Sequence, residues 1–335
     1  MVSRIPGRQP ATSGRLPILG LALLVLVSAC HGTSPDISFP EGWPFAADEQ
    51  SVVAQQGMVV STDQYASAVG IEILKSGGNA VDAAVATSFA LAVVNPEAGN
   101  IGGGGFMVLR LADGSVASLD YRERAPAEAS RDMYLDEAGE LTDASTLGHL
   151  AVGVPGSVAG LWAAHERYGA LPWAELVAPA IDLAEGFEVR ERQARQFRMA
   201  EDDLRIFPYT EATFLPGGRR PETGDTFVQT DLAATLRRIA AQGRDGFYLG
   251  ATADLIVAEM ERGGGILDHD DLAGMEAAWR DPVEVTYRDH TIISMPPTSS
   301  GGATLAAMAK ILEGYELGLL KYHSAEHVHL LAEAW

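Results

Sequence analysis

Four consecutive glycines, Gly102–Gly105, limit what this chain can fold into more than any other feature. They follow Asn95-Pro96-Glu97-Ala98-Gly99-Asn100-Ile101 and lead into an extended apolar run, Phe106–Leu111. An Asp113-Gly114 turn and a return strand, Ser115–Tyr121, come next, and the segment closes on Leu119-Asp120-Tyr121-Arg122-Glu123. Asp-Gly between two extended runs is a strong hairpin signal. Four residues without side chains give up much backbone entropy on folding, so such a run persists where the main chain passes too close to something for a Cβ. It is not a phosphate loop: it lacks the Gly-x-Gly-x-x-Gly spacing and the Gly-Lys-Ser/Thr ending, and it precedes a strand where phosphate loops precede a helix. A close backbone crossing and the lining of a pocket both fit. Either way Arg122 stands at a strand end, where a guanidinium can fork onto a carboxylate. The alternative use of Arg122 is a structural ion pair with Glu123 or another acid.

The N-terminus reads as a targeting segment. Arg4, Arg8 and Arg15 make a basic region, and Leu16–Val27 make an apolar core too short to span a bilayer. Val27-Ser28-Ala29-Cys30 resembles the bacterial lipobox, in which the cysteine is diacylated and becomes the first residue. An ordinary signal peptide with Cys30 as a bystander is the alternative. Cys30 is the single cysteine of the chain and sits where the lipid chemistry needs a thiol. Two or three acyl chains suffice for stable anchoring, and an acylated thiol leaves nothing to form a disulfide. The expected layout is a signal at 1–29, a Pro-, Ser-, Gly- and acid-rich tether at 30–50, and a folded region at 51–335. The expected location is periplasmic or elsewhere in the cell envelope, held to a membrane through Cys30. The formal charge of −21 argues against a nucleic-acid partner and against electrostatic adhesion to anionic lipid.

Within the folded region, Met58–Ser61 reads as a strand and Ala66–Lys75 as a helix closed by Gly77-Gly78. Asn79 should cap a second helix, Ala80–Val94, with Asp82 at its third position. That helix is Ala- and Val-rich on nearly every face, which predicts burial. The hairpin strands are apolar on both sides, as in a sheet covered on both faces. A helical stretch from 155 to about 262, looser over Phe207–Gly224, precedes two strands, Val283–Tyr287 and Thr291–Met295. A tight loop, Pro296–Gly302, a helix over Ala303–Leu312 and a last helix over Ser324–Trp335 complete the pattern. The sequence stops inside that last helix, which reads as an incomplete chain.

Other chemistry is thinner. His323-Ser324-Ala325-Glu326-His327 matches the His-x-x-Glu-His string of one zinc protease class, and histidines four apart can share a helix face. The third ligand would have to lie past Trp335. Ser157 is one residue out of register for a Gly-x-Ser-x-Gly elbow, and Ser299 and Ser300 have no evident His–acid pair.

Read together, several segments resemble the large subunit of gamma-glutamyltransferases, also called glutathione hydrolases. They are Ser76-Gly-Gly-Asn-Ala-Val-Asp-Ala-Ala-Val-Ala86, Asn100-Ile-Gly-Gly-Gly-Gly-Phe106 and Leu119-Asp-Tyr-Arg-Glu-Arg-Ala-Pro126. Val152-Gly-Val-Pro-Gly-Ser-Val-Ala-Gly160, Pro296-Pro-Thr-Ser-Ser-Gly-Gly302 and His329-Leu-Leu-Ala-Glu-Ala334 continue in the family's order. The resemblance implies an α+β fold, the four-layer αββα sandwich of the N-terminal-nucleophile hydrolases. It implies a proenzyme that cleaves itself before a threonine, whose new α-amino group is the base for its own hydroxyl. The γ-glutamyl group of glutathione or a related γ-glutamyl compound then passes through an acyl-enzyme to water, an amino acid or a peptide. The oxyanion is held by a Gly-Gly pair of the small subunit, cut from the same precursor. No cofactor or metal is implied. The arginine that grips the glutamyl α-carboxylate is Arg122 here. The threonine nucleophile is expected beyond Trp335, so no catalytic residue is expected in this chain and the chain alone is expected to be inactive. Arg124 stands where family members often have an apolar residue. The rival classes are a zinc protease using His323 and His327, and a non-catalytic envelope lipoprotein that only binds.

Overall fold

The computed structural model describes residues 53–335; the signal at 1–29, Cys30 and the 30–50 tether lie outside them. The chain divides after Gln55, and the fold is that of Gln56–Trp335. The first part runs α1 (Gln64–Lys75), α2 (Ala80–Val94), the short α3 (Pro96–Gly99) and the hairpin β1 (Phe106–Arg110) and β2 (Val116–Asp120). A helical section comes next: α4 (Ser157–Tyr168), α5 (Trp173–Glu185), β3 (Phe187–Glu188), α6 (Glu191–Leu204), α7 (Pro208–Phe214) and β4 (Thr226–Phe227). It continues through α8 (Thr230–Gln242), α9 (Asp245–Tyr248), α10 (Gly250–Gly263) and α11 (His269–Ala273). The last part holds β5 (Ala278–Arg280), β6 (Val283–Tyr287), β7 (His290–Ser294), α12 (Gly301–Leu312) and α13 (Ala325–Ala334). The mixture is α+β, as the family resemblance implies.

The core is built around α2. Val81, Val85, Ala86, Phe89, Ala90 and Val93 are all buried, and a helix with no polar face has to be interior. It packs between α1 and α5. Its start is a reciprocal cap: the Asn79 side chain accepts the Val81 and Asp82 amides, and Asp82 accepts the Asn79 amide at 2.8 Å. The carboxylate of Asp82 is fully buried and also accepts the Ala170 amide at 3.0 Å and 3.1 Å, so the same cap fastens the turn between α4 and α5. At the other end, buried Asn95 accepts from Arg192 and Gln196, which ties α6 to the exit of α2.

The principal sheet is antiparallel in the order β1-β2-β5. Phe106 pairs with Asp120 and Met107 with Leu119; on the other side Leu119 pairs with Trp279 and Asp120 with Ala278. The hairpin loop closes through a Leu111–Ser115 contact with Gly114 at φ +88°, a left-handed position that glycine takes without strain. β2 is buried from Ala117 to Asp120. Val108 of β1 is 42% exposed, so among the described residues this strand lacks the two-sided burial its apolar run suggests.

The glycine run hugs the end of the hairpin. A Cβ on Gly104 would lie 2.5 Å from the Tyr121 carbonyl oxygen and 2.8 Å from the Glu123 nitrogen. The Tyr121 ring fills a slot floored by glycine: added Cβ atoms would meet it at 2.9 Å from Gly105 and 2.1 Å from Gly160. The Gly103 carbonyl accepts the Gly156 and Ser157 amides at 2.8 Å and 3.0 Å, satisfying donors that the start of α4 would otherwise leave open. The run is a close backbone crossing at Gly104 and Gly105, and Gly103 and Gly104 also line a cavity with Asn100, Tyr121, Glu123 and Ser157.

Several expected elements shift. Met58–Ser61 is irregular, not a strand, having no neighbouring strand to pair with among the described residues. The first helix begins earlier, at Gln64, because Asp63 caps it by accepting the Tyr65 amide. The helix expected over Ala303–Leu312 starts at Gly301, and the last one starts after its cap, Ser324. The two- and three-residue strands β3, β4 and β5 carry too few residues for a periodicity.

The slot makes a stability prediction. On Gly156→Ala the new Cβ would fall 2.0 Å from the Tyr121 carbonyl oxygen, a backbone atom that cannot swing aside. The substitution should cost about 1–3 kcal/mol or more, read as a lower urea midpoint, whereas Gly318→Ala, with nothing within 4 Å, should stay within about 0.5 kcal/mol. Equal midpoints would contradict the crossing.

Candidate functional site

Arg122 comes directly after the crossing, and its main chain is held from two sides. Gly104 packs against its Cα, where an added Cβ would approach to 3.0 Å. On the other side, the Arg122 amide donates to Asp120 Oδ1 at 3.1 Å. The side chain points outward and is 61% exposed. Its Nε lies 3.7 Å from Glu123 Oε2, and its guanidinium carbon is 5.9 Å from the centre of the Phe106 ring. An exposed pair at that separation contributes little to stability. Most of the donor fork of Arg122 therefore faces a cleft lined by Asp120, Arg122, Glu123, Arg124, Arg280 and Thr298.

Asp120 is the buried partner in this cleft. Arg280 Nε donates to its Oδ2 at 2.8 Å, and Thr298 Oγ1 donates to the same oxygen at 3.2 Å. Burial pushes the carboxyl up, but the Arg122 amide, the Arg280 guanidinium and the Thr298 hydroxyl outweigh it and hold Asp120 below the usual carboxylate range. Burial alone raises the Tyr121 phenol above its ordinary value. Arg124 is engaged through Nη2, which donates to the Glu276 carbonyl at 2.8 Å, and its main chain pairs with Val154. The sequence singles out Arg122 and its flanking motif but gives no role to Asp120, Arg280 or Thr298. Arg280 and Thr298 lie 160 and 178 residues from Asp120, a distance no local spacing reveals.

The other candidates fall outside this cleft. His323 precedes the Ser324 cap, at φ +56°, and stacks on Tyr322, so it does not share a helix face with His327. The rival zinc reading puts both histidines on one helix face, but the helix starts after Ser324, and the two ring centres lie 6.4 Å apart. Among the described residues, no group of three or more His, Cys, Asp or Glu side chains is placed to hold a metal ion. Ser157 opens α4 and donates to the Asn100 carbonyl at 3.2 Å, while Ser299 accepts the Gly301 amide at 3.3 Å. Both are taken up by main-chain contacts, Ser157 with a residue 57 positions earlier and Ser299 within its own loop. Cys30 lies outside the described residues.

The gamma-glutamyltranspeptidase family model matches residues 66–335, and the chain belongs to that family. Over 292 residues it is 48% identical to the glutathione hydrolase proenzyme of Pseudomonas sp. (strain A14), covering 86% of this chain and 51% of that protein. It is 40% identical over 306 residues to the acylase ACY 1 proenzyme of Pseudomonas sp. (strain V22), covering 89% and 55%. Among solved structures, the gamma-glutamyltranspeptidase of Helicobacter pylori aligns with a TM-score of 0.83 and 43% identity, over 85% of this chain and 82% of that one. The fold is therefore that of the N-terminal-nucleophile hydrolases. The chain spans about half the length of the curated relatives it matches.

The depressed value of Asp120 carries a sign. Its contribution to stability is complete above the ordinary aspartate value of 3.8 and is lost as pH falls below that, through the native value. The stability gap between the wild type and Asp120→Asn should therefore narrow as pH is lowered from about 5 to about 2, measured by denaturant unfolding at each pH. A gap independent of pH would contradict the ionised state.

Proposed function

We propose that this chain forms the substrate-carboxylate half of a gamma-glutamyl hydrolase and transferase acting on glutathione and related γ-glutamyl compounds. The observation that carries it is Arg122. Its main chain is fixed by Gly104 and Asp120, and its guanidinium is exposed to a cleft, 3.7 Å from Glu123 and 5.9 Å from the centre of the Phe106 ring. A planar fork so placed suits two-point binding of the glutamyl α-carboxylate, which fixes the amide to be cleaved relative to the nucleophile. The threonine nucleophile, the oxyanion donors and the small subunit are assigned to the part of the relatives' length that this chain does not span. The glutathione hydrolase relatives are named as proenzymes, which supports a precursor that is cut. Water, an amino acid or a peptide would take the acyl group. We also assign Cys30 as the lipidated residue that holds the protein in the cell envelope; Cys30→Ser should move it from the membrane to the soluble fraction.

Removing the clamp leaves a bound carboxylate unpaired at a cost of roughly 2–4 kcal/mol. In the full-length precursor, Arg122→Ala should thus raise KM for a γ-glutamyl p-nitroanilide roughly 30- to 700-fold. An unchanged KM would return Arg122 to a structural role. The acylase relative makes a glutaryl anilide the matched comparison, since it keeps the terminal carboxylate and lacks only the ammonium. A higher kcat/KM for that substrate would favour an acylase instead.

A further inference from the structure

The buried carboxylate of Asp120 joins three segments that are distant in the chain: the end of β2, the end of β5 and the Pro296–Gly302 loop. We propose that Asp120 is a positioning residue for Arg122, and that Arg280 and Thr298 hold Asp120 to that task. The inference rests on the assignment of Arg122 as the carboxylate clamp.

Asp120 is 7% exposed, so its orientation is set by its partners and not by water. Oδ1 takes the amide of Arg122 itself, two residues on, which fixes the backbone direction from which the guanidinium departs. Oδ2 takes Arg280 Nε and the Thr298 hydroxyl. Arg280 is in turn fastened at its own main chain, where its carbonyl accepts from Ser118 Oγ at 2.8 Å. The glycine crossing closes the other side, with Gly104 against the Arg122 Cα. The Arg122 main chain is therefore gripped between Gly104 and Asp120, while its side chain stays free to meet a ligand.

Charge gives the arrangement a second function. A bare carboxylate two residues from the clamp would repel an anionic substrate. Arg280 neutralises it in place, so the carboxylate can orient Arg122 without opposing what Arg122 binds. Two-point binding of a carboxylate tolerates little misalignment of the guanidinium that makes it. Asp120 should therefore act through substrate affinity and only on substrates that carry the α-carboxylate.

The test uses the full-length precursor after cleavage and two anilides. One is γ-glutamyl p-nitroanilide. The other is 4-aminobutanoyl p-nitroanilide, the same molecule without the α-carboxylate. Asp120→Asn and Arg280→Gln should each raise KM for the first substrate about tenfold or more with kcat within about threefold, and leave kcat/KM for the second within about twofold. In an Arg122→Ala background, Asp120→Asn should have no further effect on KM. Equal losses on both anilides, or the same factor in both backgrounds, would overturn the proposal and leave Asp120 a structural residue. If Asp120→Asn does not mature, Thr298→Val, which removes one hydrogen bond at nearly constant volume, should still raise KM about two- to fivefold on the γ-glutamyl substrate alone. No change in that variant would overturn the proposal equally. If Arg122→Ala itself leaves KM untouched, what fails is the reading of Arg122.

Discussion

The contact on which this structure turns is between two stretches of main chain. Gly104 and Gly105 lie so close along Tyr121–Glu123 that no side chain fits between them, and Gly156 and Gly160 extend the same approach to the start of α4. The entropy that glycine gives up is offset by what the approach permits. The Tyr121 ring is seated, the hairpin gains one more rung between Gly105 and Tyr121, and two open amides of α4 find the Gly103 carbonyl. Hairpin, crossing segment and helix are thereby locked into one piece. Tyr248 adds to the lock from α9, donating to the Pro155 carbonyl at 2.7 Å and accepting the Ala159 amide at 3.1 Å.

The electrostatic layout depends on that lock. The chain is strongly acidic, and Arg122 has an acid two residues before it and another directly after it. Either could have consumed its charge. Asp120 instead turns inward to Arg280 and contributes to Arg122 only by accepting its amide, while Glu123 remains at 3.7 Å in an exposed position where attraction is screened. An exposed guanidinium next to carboxylates in sequence but not neutralised by them is a costly arrangement to build. It leaves one guanidinium exposed on a strongly acidic chain.

Much of the scaffold was legible in the sequence, and the reasons are local. The Asn79–Asp82 cap, the all-round apolar helix behind it, the Asp113-Gly114 hairpin and the need for a side-chain-free crossing each rest on residues within a few positions of one another. Membership of the family was legible from motif order. What could not be read was pairing across long stretches: β5 onto β2, and Arg280 and Thr298 onto Asp120. One clue was present. Gly156 and Gly160 are four apart and so share a helix face, a flat surface suited to a ring, yet nothing nearby in sequence says that the ring is Tyr121. The His323–His327 pair, only a rival reading in the sequence, is set aside for the converse reason. The string fits a helix, but Ser324 is the better cap, and it sets the helix boundary between the two histidines.

The central place of β2 also orders how the site comes into being. Its pairing with β1 closes a short loop, Arg110 to Val116, and can form as soon as the hairpin leaves the ribosome. Its other side waits for Ala278–Arg280, with Ser118 reaching a partner 162 residues away. That is nearly five doublings of loop length, or about 3 kcal/mol more closure entropy than the hairpin needs. Until this closure occurs, Asp120 lacks Arg280 and Thr298, and only the local Asp120 and Gly104 contacts hold Arg122. The Asp120–Arg280 pair thus closes only when the chain has returned across its whole helical section.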